Sequence, residues 1–232
     1  MEGDLNYYFN LHKSDKGDDP SLGGNHYASW YEKFLYSRRD DIKNICEIGI
    51  NNGASLKALY DYFPNALILG LDIKTKKEYE NKRISTQILD QSQRPELDNF
   101  VKSCIQNNLT FDLIIDDGSH DVSHQQSTFG KMFKLLNPHG IYIIEDMGTS
   151  YFKVGESLYG YTQTEEKLSN NSVSFLLNRP FTSPWIEEDD LKLINKEVKD
   201  ISIFDKTNPL PYKFKCVNDY PIRSITSIIQ KI

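Results

Sequence analysis

The sequence predicts a doubly wound α/β fold with a mostly parallel sheet and antiparallel strands added at its carboxyl-terminal edge. Three observations lead there. Short strand-like runs (Ile45 to Ile48, Ala66 to Leu71, Arg83 to Leu89, Phe111 to Ile115 and Ile141 to Ile144), all but Arg83 to Leu89 largely apolar, alternate with segments suited to helices, the rhythm of strand and crossover helix in a parallel sheet. The runs are nearly continuous rather than alternating, as expected for strands buried on both faces. Four of them end in acids, at Asp72, Asp90, Asp116-Asp117 and Glu145-Asp146, and residues just past the carboxyl ends of such strands stand where ligands bind.

A length of 232 residues suits one domain over 1–232, with 1–40 as an amino-terminal arm and helix, 41–146 as the core carrying the strand-end acids, and 147–232 as a lid and edge-strand region. Hydrophobic residues make up 38% and aromatics 12%, which is globular, and no apolar run approaches a membrane span. The segment Met1 to Asn6 lacks the basic and apolar regions of a secretion signal, so a cytoplasmic location is expected and no membrane partner. A net charge of −6 argues against a phosphate backbone as partner, and no nucleic acid is expected. Cys46, Cys104 and Cys216 are odd in number and widely spaced, which suits reduced core thiols.

Taken in order, residues 1–26 are polar, with turn residues at Ser14 to Gly17 and Gly23 to His26, and read as a loop or arm. Tyr27, Trp30, Tyr31, Phe34 and Leu35 follow at helical spacing, predicting an amphipathic helix over Tyr27 to Arg39 that packs on the core. The charges between Lys13 and Lys16 and at Arg38-Arg39 suit either a solvated face or an anionic substrate. Asn44 to Leu56 reads as strand, glycine-containing turn and helix, the helix running to about Phe63. A dinucleotide-binding turn needs glycine first; Glu47 stands there, and Gly49 and Gly53 are four apart. A carboxylate at that strand tip repels a pyrophosphate and accepts hydrogen bonds from an ammonium group. The pattern therefore favours a cationic, amino-acid-bearing cofactor over NAD. Gly49 and Gly53 allow the backbone close approach, and free N–H groups near Ala54 and Ser55 suit its carboxylate. Asp72 is placed to bind both hydroxyls of a ribose, and Asp90-Gln91-Ser92 to read an adenine edge.

Residues 94–107 then give a helix with Pro95 in its first turn. A further helix is expected from Val122 to Leu136, closed by Asn137 to Gly140. Residues 147–164 carry Tyr151, Phe152, Tyr159 and Tyr161 without a clear period and read as a lid whose aromatic faces suit either sugars or packing. Residues 165–178 suggest a helix, Phe181 to Trp185 a turn, and Glu187 to Asp190 a solvated acidic run. Asp200 to Phe204, Lys213 to Val217 and Arg223 to Ile229 suggest short edge strands.

Two neighbouring strand tips would bring Asp117, Glu145 and Asp146 together, with His120 beside them. Three adjacent carboxylates repel unless a cation lies between them, and carboxylates without a cysteine pair suit a hard ion, Mg²⁺ or Mn²⁺, rather than zinc. Histidine is the side chain that natively exchanges protons near working pH, so His120 suits a general base. His124, one helical turn on, suits a second ligand or base less well than a surface histidine.

Glu47-x-Gly49-x-x-x-Gly53 with Asp72 and Asp90 resembles the S-adenosylmethionine site of class I methyltransferases. Asp117-Gly118-Ser119-His120 with Glu145-Asp146, and the early Asp15-Lys16-Gly17, His26-Tyr27 and Tyr31, resemble the metal-dependent sugar O-methyltransferases of the macrolide type and their surface-sugar relatives. The resemblance covers roughly residues 10–150. It implies a Rossmann-like fold, S-adenosylmethionine as cofactor, Mg²⁺ (or Mn²⁺) held by Asp117, Glu145 and Asp146, and His120 with Asp117 as the catalytic pair. The cofactor set becomes Glu47, Gly49, Asn51, Gly53, Ser55, Asp72, Ile73, Asp90, Gln91, Ser92 and Asp116. The expected partner is a small-molecule sugar or nucleotide-sugar substrate, for instance of a bacterial capsule or other surface glycan, and a homo-oligomer is compatible with the sequence. Three alternatives stay open: a catechol-type or natural-product O-methyltransferase, a non-catalytic nucleoside-binding module, and an NAD-dependent oxidoreductase, the last disfavoured by Glu47.

Overall fold

The computed structural model describes residues 3–74, 76–205 and 225–232. Among the described residues, seven strands form one sheet: β1 (Asn44–Ile48), β2 (Leu67–Asp72), β3 (Ile84–Ile88), β4 (Phe111–Asp116), β5 (Leu136–Ile144), β8 (Val198–Asp205) and β9 (Ile225–Lys231), in the order β3-β2-β1-β4-β5-β9-β8. The first five are parallel; β9 adds antiparallel to β5, and β8 antiparallel to β9. Helices α1 (Leu5–Leu11), α2 (Tyr27–Leu35) and α3 (Ala54–Tyr62) precede β2; α4 (Arg94–Gln106) and α5 (Val122–Met132) flank β4. A two-residue hairpin, β6 (Ser157–Leu158) with β7 (Tyr161–Thr162), is followed by α6 (Glu165–Ser169), α7 (Ser172–Leu177) and α8 (Glu188–Glu197).

The continuous apolar runs are explained by two cores, one on each face of the sheet. Cys46, Ile48, Ile114, Tyr142 and Ile144 face a layer with Phe100, Phe129, Phe133, Val173 and Ile194. Their neighbours Ile45, Leu113, Ile115, Ile141 and Ile143 face Leu5, Phe9, Tyr27, Tyr31, Leu59 and Tyr62. The strand order reverses between β1 and β4, where Ile48 pairs with Asp116, so a crevice opens at their carboxyl ends. No helix among the described residues is long and apolar enough to cross a membrane.

Several expectations are corrected. The polar amino terminus is not all loop: Asp4 caps α1, which buries only Leu5 and Phe9. Asn137 to Gly140 does not close a helix but lies inside β5, because Phe111 pairs with Leu136 and Leu113 next pairs with Ile141, leaving the turn residues as an irregularity within the strand. Its helix accordingly ends early, with α5 stopping at Met132 and a 3₁₀ turn at Phe133–Leu135. The lid has structure of its own, a 3₁₀ turn at Met147–Tyr151 and the β6–β7 hairpin, and residues 165–178 form two helices instead of one. The run Glu187 to Asp190 is not simply solvated. It starts α8, where acids favour the positive end of the helix dipole, and Asp190 is buried against Lys134 at 2.5 Å. Cys46 and Cys104 are buried free thiols; Cys216 and the strand expected at Lys213 to Val217 lie outside the described residues.

Candidate active site

Strand β1 places Glu47 at the crevice floor, fully buried. Its Oε2 accepts a hydrogen bond from Ser55 Oγ at 2.8 Å, while Oε1 is buried without a hydrogen-bond partner. Burial pushes its carboxyl up to about 7, against the opposing pull of Lys16 and Ser55. Gly49 sits at φ +79°, and an added Cβ would overlap the Asp117 carbonyl. This glycine is therefore what lets the β1 turn and the β4 turn touch. Gly53 has φ +69° and lies under the Tyr79 ring. Asn51 is exposed, and its carbonyl accepts from Lys76 Nζ.

Asp72 ends β2 with its carboxylate oriented by the backbone N–H groups of Ile50 at 3.2 Å and Lys74 at 3.0 Å; Ile73 beside it is 64% exposed. Asp90 Oδ1 accepts from Ser92 N–H at 2.9 Å. The buried Gln91 is engaged on every side, donating to Asp116 Oδ1 and Thr128 Oγ1 and accepting from Ser119 N–H. It thus ties the β3 turn to the β4 turn instead of facing outward. Asp116 is itself buried, with Oδ2 unpartnered, and burial raises its carboxyl to about 7. The helix start at α3 is less open than the sequence suggested, since Asn52 Oδ1 already accepts the Ala54 N–H at 3.1 Å.

On the other side of the crevice, β4 and β5 deliver Asp117, Glu145 and Asp146. Single ligand atoms of Asp117, His120 and Asp146 lie within 4.8 Å of one another, with His120 Nε2 at 4.0 Å from Asp117 Oδ1 and 3.7 Å from Asp146 Oδ2. His120 and Asp146 take left-handed backbone conformations, φ +58° and +51°, which turn both side chains into the cluster and are uncommon for non-glycine residues. His120 is held by its carbonyl, which accepts from Thr149 Oγ1 at 2.6 Å, while its buried Nδ1 has no hydrogen-bond partner. His124 stands apart from the acids: its Nδ1 meets Ser119 Oγ at 2.9 Å, and its ring lies edge-on to Tyr161.

Glu145 is placed differently from its two neighbours. Tyr31 donates to its Oε1 at 2.5 Å, and Lys16 Nζ lies 2.7 Å from its Oε2. The same Lys16 nitrogen is 2.5 Å from Asp117 Oδ2 and 3.8 Å from Glu47 Oε1, and Tyr27 donates to Asp146 Oδ1 at 2.5 Å. Lys16, far from solvated, is 2% exposed. One ammonium against three carboxylates leaves the cluster short of positive charge. Burial would lower Lys16, yet Asp117, Glu145 and Glu47 hold it well above its ordinary value. Burial, with Asp117, likewise holds the Glu145 carboxyl well up. Sequence reasoning missed the roles of Lys16, Tyr27 and Tyr31; the surplus of buried acid was the available signal, because such a surplus requires a cation or neutral donors.

The arrangement suits both expected groups. Unpartnered oxygens on Glu47 and Asp116 fit a ligand carrying hydrogen-bond donors, and the close-packed turns at Gly49 leave no side chain between them. The oxygens Asp117 Oδ1 and Asp146 Oδ2, facing His120 in a net-negative cluster, fit a hard divalent ion.

No family model matches the chain. Curated relatives do. The 8-demethyl-8-alpha-L-rhamnosyl tetracenomycin-C 2'-O-methyltransferase of Streptomyces olivaceus is 32% identical over 155 residues, 64% of this chain and 39% of that protein. The L-olivosyl-oleandolide 3-O-methyltransferase of Streptomyces antibioticus is 37% identical over 138 residues, 56% of this chain and 35% of its own length. The mycinamicin VI 2''-O-methyltransferase of Micromonospora griseorubida is 33% identical over 141 residues, 57% and 34% of the two chains. The matched stretches thus span well under half the length of these relatives. Among solved structures, the MycE methyltransferase from the mycinamycin biosynthetic pathway, in complex with Mg, SAH and mycinamycin VI, superposes with a TM-score of 0.73 at 22% identity, covering 100% of this chain and 55% of that one. The chain therefore shares the fold of the MycE methyltransferase and, over its aligned region, is similar in sequence to sugar O-methyltransferases.

Proposed function

We propose that the protein transfers the methyl group of S-adenosylmethionine to a sugar hydroxyl with the help of a divalent ion, Mg²⁺ or Mn²⁺, and His120 as general base. The observation that carries this is the convergence of Asp117, His120 and Asp146 within 4.8 Å, across the crevice from Glu47 Oε1, which is buried without a hydrogen-bond partner. The names of the relatives, which specify O-methylation of rhamnosyl and olivosyl groups, support a sugar acceptor.

A sugar hydroxyl is a poor nucleophile until its alkoxide is stabilised. Asp117 and Asp146 would hold the ion through the oxygens that face His120; bound there, it would act as a Lewis acid that acidifies and orients the hydroxyl. Glu145, the third ligand implied by the resemblance, has to give up Lys16 at Oε2 to join them. His120 takes the hydroxyl proton on Nε2, a role worth roughly 10²–10⁴-fold in rate. Glu47 receives the ammonium of the methionine moiety, Asp72 the ribose hydroxyls, and Asp116 offers a free oxygen beside them. With both substrates seated, displacement is in line from oxygen to sulfonium, and positioning supplies much of the rate. Tyr159, on the β6–β7 hairpin, is 71% exposed with its ring 5.7 Å from that of His120, a free aromatic face on which a sugar ring can stack.

A sugar already carried on an aglycone, as in the relatives' names, is the favoured acceptor, and a cytoplasmic setting accompanies this reading. A nucleotide-activated sugar for capsule or another surface glycan was suggested by cations near the amino terminus, but Lys16 is buried among acids, and Arg38 and Arg39 donate to the carbonyls of His139 and Tyr62. The test is methyl transfer from labelled S-adenosylmethionine to a panel of rhamnosides, nucleotide-linked deoxysugars and catechol, with Mg²⁺ and with EDTA. Label in the sugar glycosides, lost in EDTA and restored by Mg²⁺ or Mn²⁺, is expected. Label confined to nucleotide sugars would redirect the acceptor to surface-glycan precursors. Label in catechol alone, or undiminished transfer in EDTA, would contradict the proposal.

A further inference from the structure

Lys16, Tyr27 and Tyr31 reach the acid cluster from the amino-terminal part of the chain, all three buried, and Lys16 brings an ammonium group. Lys16 Nζ lies 2.5 Å from Asp117 Oδ2, 2.7 Å from Glu145 Oε2 and 3.8 Å from Glu47 Oε1. These acids belong to three different strand ends, so one ammonium joins the donor side of the crevice to the metal side. The segment holding it is pinned on both sides, Asp15 O and Gly17 O accepting from Asn25 and His26 N–H, and Lys16 O from Ala28 N–H. The division of oxygens is informative. Lys16 and Tyr27 take Asp117 Oδ2 and Asp146 Oδ1, leaving Asp117 Oδ1 and Asp146 Oδ2 toward His120. Glu145 has both oxygens taken, by Tyr31 and Lys16.

We propose that Lys16 is the resident counter-cation of this cluster: a positioning residue that lets Glu47, Asp117 and Glu145 be buried together before a divalent ion arrives, and that shares Asp117 and Glu145 with that ion afterwards. The proposal rests on the metal-assisted reading for its second half only. Buried carboxylates without a counter-charge are costly, and two cations drawing on the same oxygens oppose each other. Removing Lys16 therefore destabilises the ligand-free protein and, at the same time, makes a divalent ion more stabilising than in the wild type.

The experiment is thermal denaturation of wild type, Lys16→Met, Lys16→Arg and the double variant Lys16→Met/Glu145→Gln, each alone, with Mn²⁺ and with S-adenosylhomocysteine. Lys16→Met alone is expected to lose roughly 10 °C in Tm, and Mn²⁺ to raise its Tm by more than it raises that of the wild type. The double variant, which removes one carboxyl of the cluster together with the ammonium, is expected to recover part of the loss, and Lys16→Arg to lose less than Lys16→Met. An unchanged Tm for Lys16→Met, a Mn²⁺ shift no larger than in the wild type, or a double variant no more stable than Lys16→Met would overturn the proposal. If Lys16→Met does not fold, the comparison of the double variant and Lys16→Arg with wild type still decides it: a double variant that also fails to fold counts against charge balance. A wild type that shows no Mn²⁺ shift and transfers methyl groups in EDTA would instead refute the metal reading, leaving the ligand-free comparison to judge Lys16.

Discussion

Gly49→Ala is the substitution whose cost can be worked most directly from the structure. The residue has φ +79°, and its N–H donates to Leu71 O at 2.8 Å, so the backbone is fixed by the sheet. An alanine there takes on the left-handed penalty of about 1–2 kcal/mol. Its Cβ would also stand 2.6 Å from the Asp117 carbonyl carbon and 2.8 Å from Gly118 Cα, where carbon contacts relax only at about 3.5–4.0 Å. The β4 turn would have to move on the order of 0.5–1 Å, and overpacking of this kind costs about 1–3 kcal/mol. Together the terms give roughly 2–5 kcal/mol, or a fall of roughly 4–20 °C in Tm for a chain of this size. Because the displaced turn carries Asp117, turnover should fall by more than stability alone explains, about 10²-fold for a misplacement near 1 Å. Gly155→Ala is the control: it shares a positive φ, +91°, but has nothing within 4 Å of the added Cβ, so it reports the conformational term alone. Differential scanning fluorimetry and steady-state kinetics on both variants make the comparison. Equal Tm and equal turnover for the two would refute the argument that Gly49 serves the close contact between the turns.

Two other predictions follow from the site. His120→Ala should lower turnover by roughly 10²–10⁴-fold while S-adenosylhomocysteine still binds by calorimetry; an unimpaired variant would remove His120 from the base role. Glu47, with its carboxyl raised to about 7, favours the ligand-free fold in its protonated form, so its contribution to stability is full below about pH 4.5 and is lost as pH rises through 7. The donor's ammonium binds the carboxylate form, so donor affinity should climb about tenfold between pH 6 and 8, and Glu47→Gln should flatten that rise; a donor affinity falling with pH would contradict the assignment.

The strands were legible because burial on both sheet faces leaves no alternative to continuous apolar runs, and their terminal acids marked the ligand edge. Asp117, His120 and Asp146 come from two adjacent strand ends, and sequence order was enough to bring them together. Local pattern failed where partners are remote. α1 buries only Leu5 and Phe9, too few to show a period, and it holds because it packs on α3. Asn137 to Gly140 carries turn chemistry, but pairing of Leu136 with Phe111 draws it into β5. Lys16 meets Asp117 and Glu145 across 101 and 129 residues, so Asp15-Lys16-Gly17 carried the resemblance without showing that the lysine is buried or which acids it meets. Gln91 was read as facing a ligand because it follows a strand, whereas its amide is spent on Asp116, Thr128 and Ser119 N–H.

Mn²⁺ titration of the purified protein, followed by the loss of the free-ion electron paramagnetic resonance signal, examines the metal site without needing the acceptor. The account predicts a single site per chain in the wild type that is lost in Asp117→Asn and in Asp146→Asn, while S-adenosylhomocysteine still binds both variants. Mn²⁺ bound as tightly by those variants as by the wild type, or by none of the three, would contradict it.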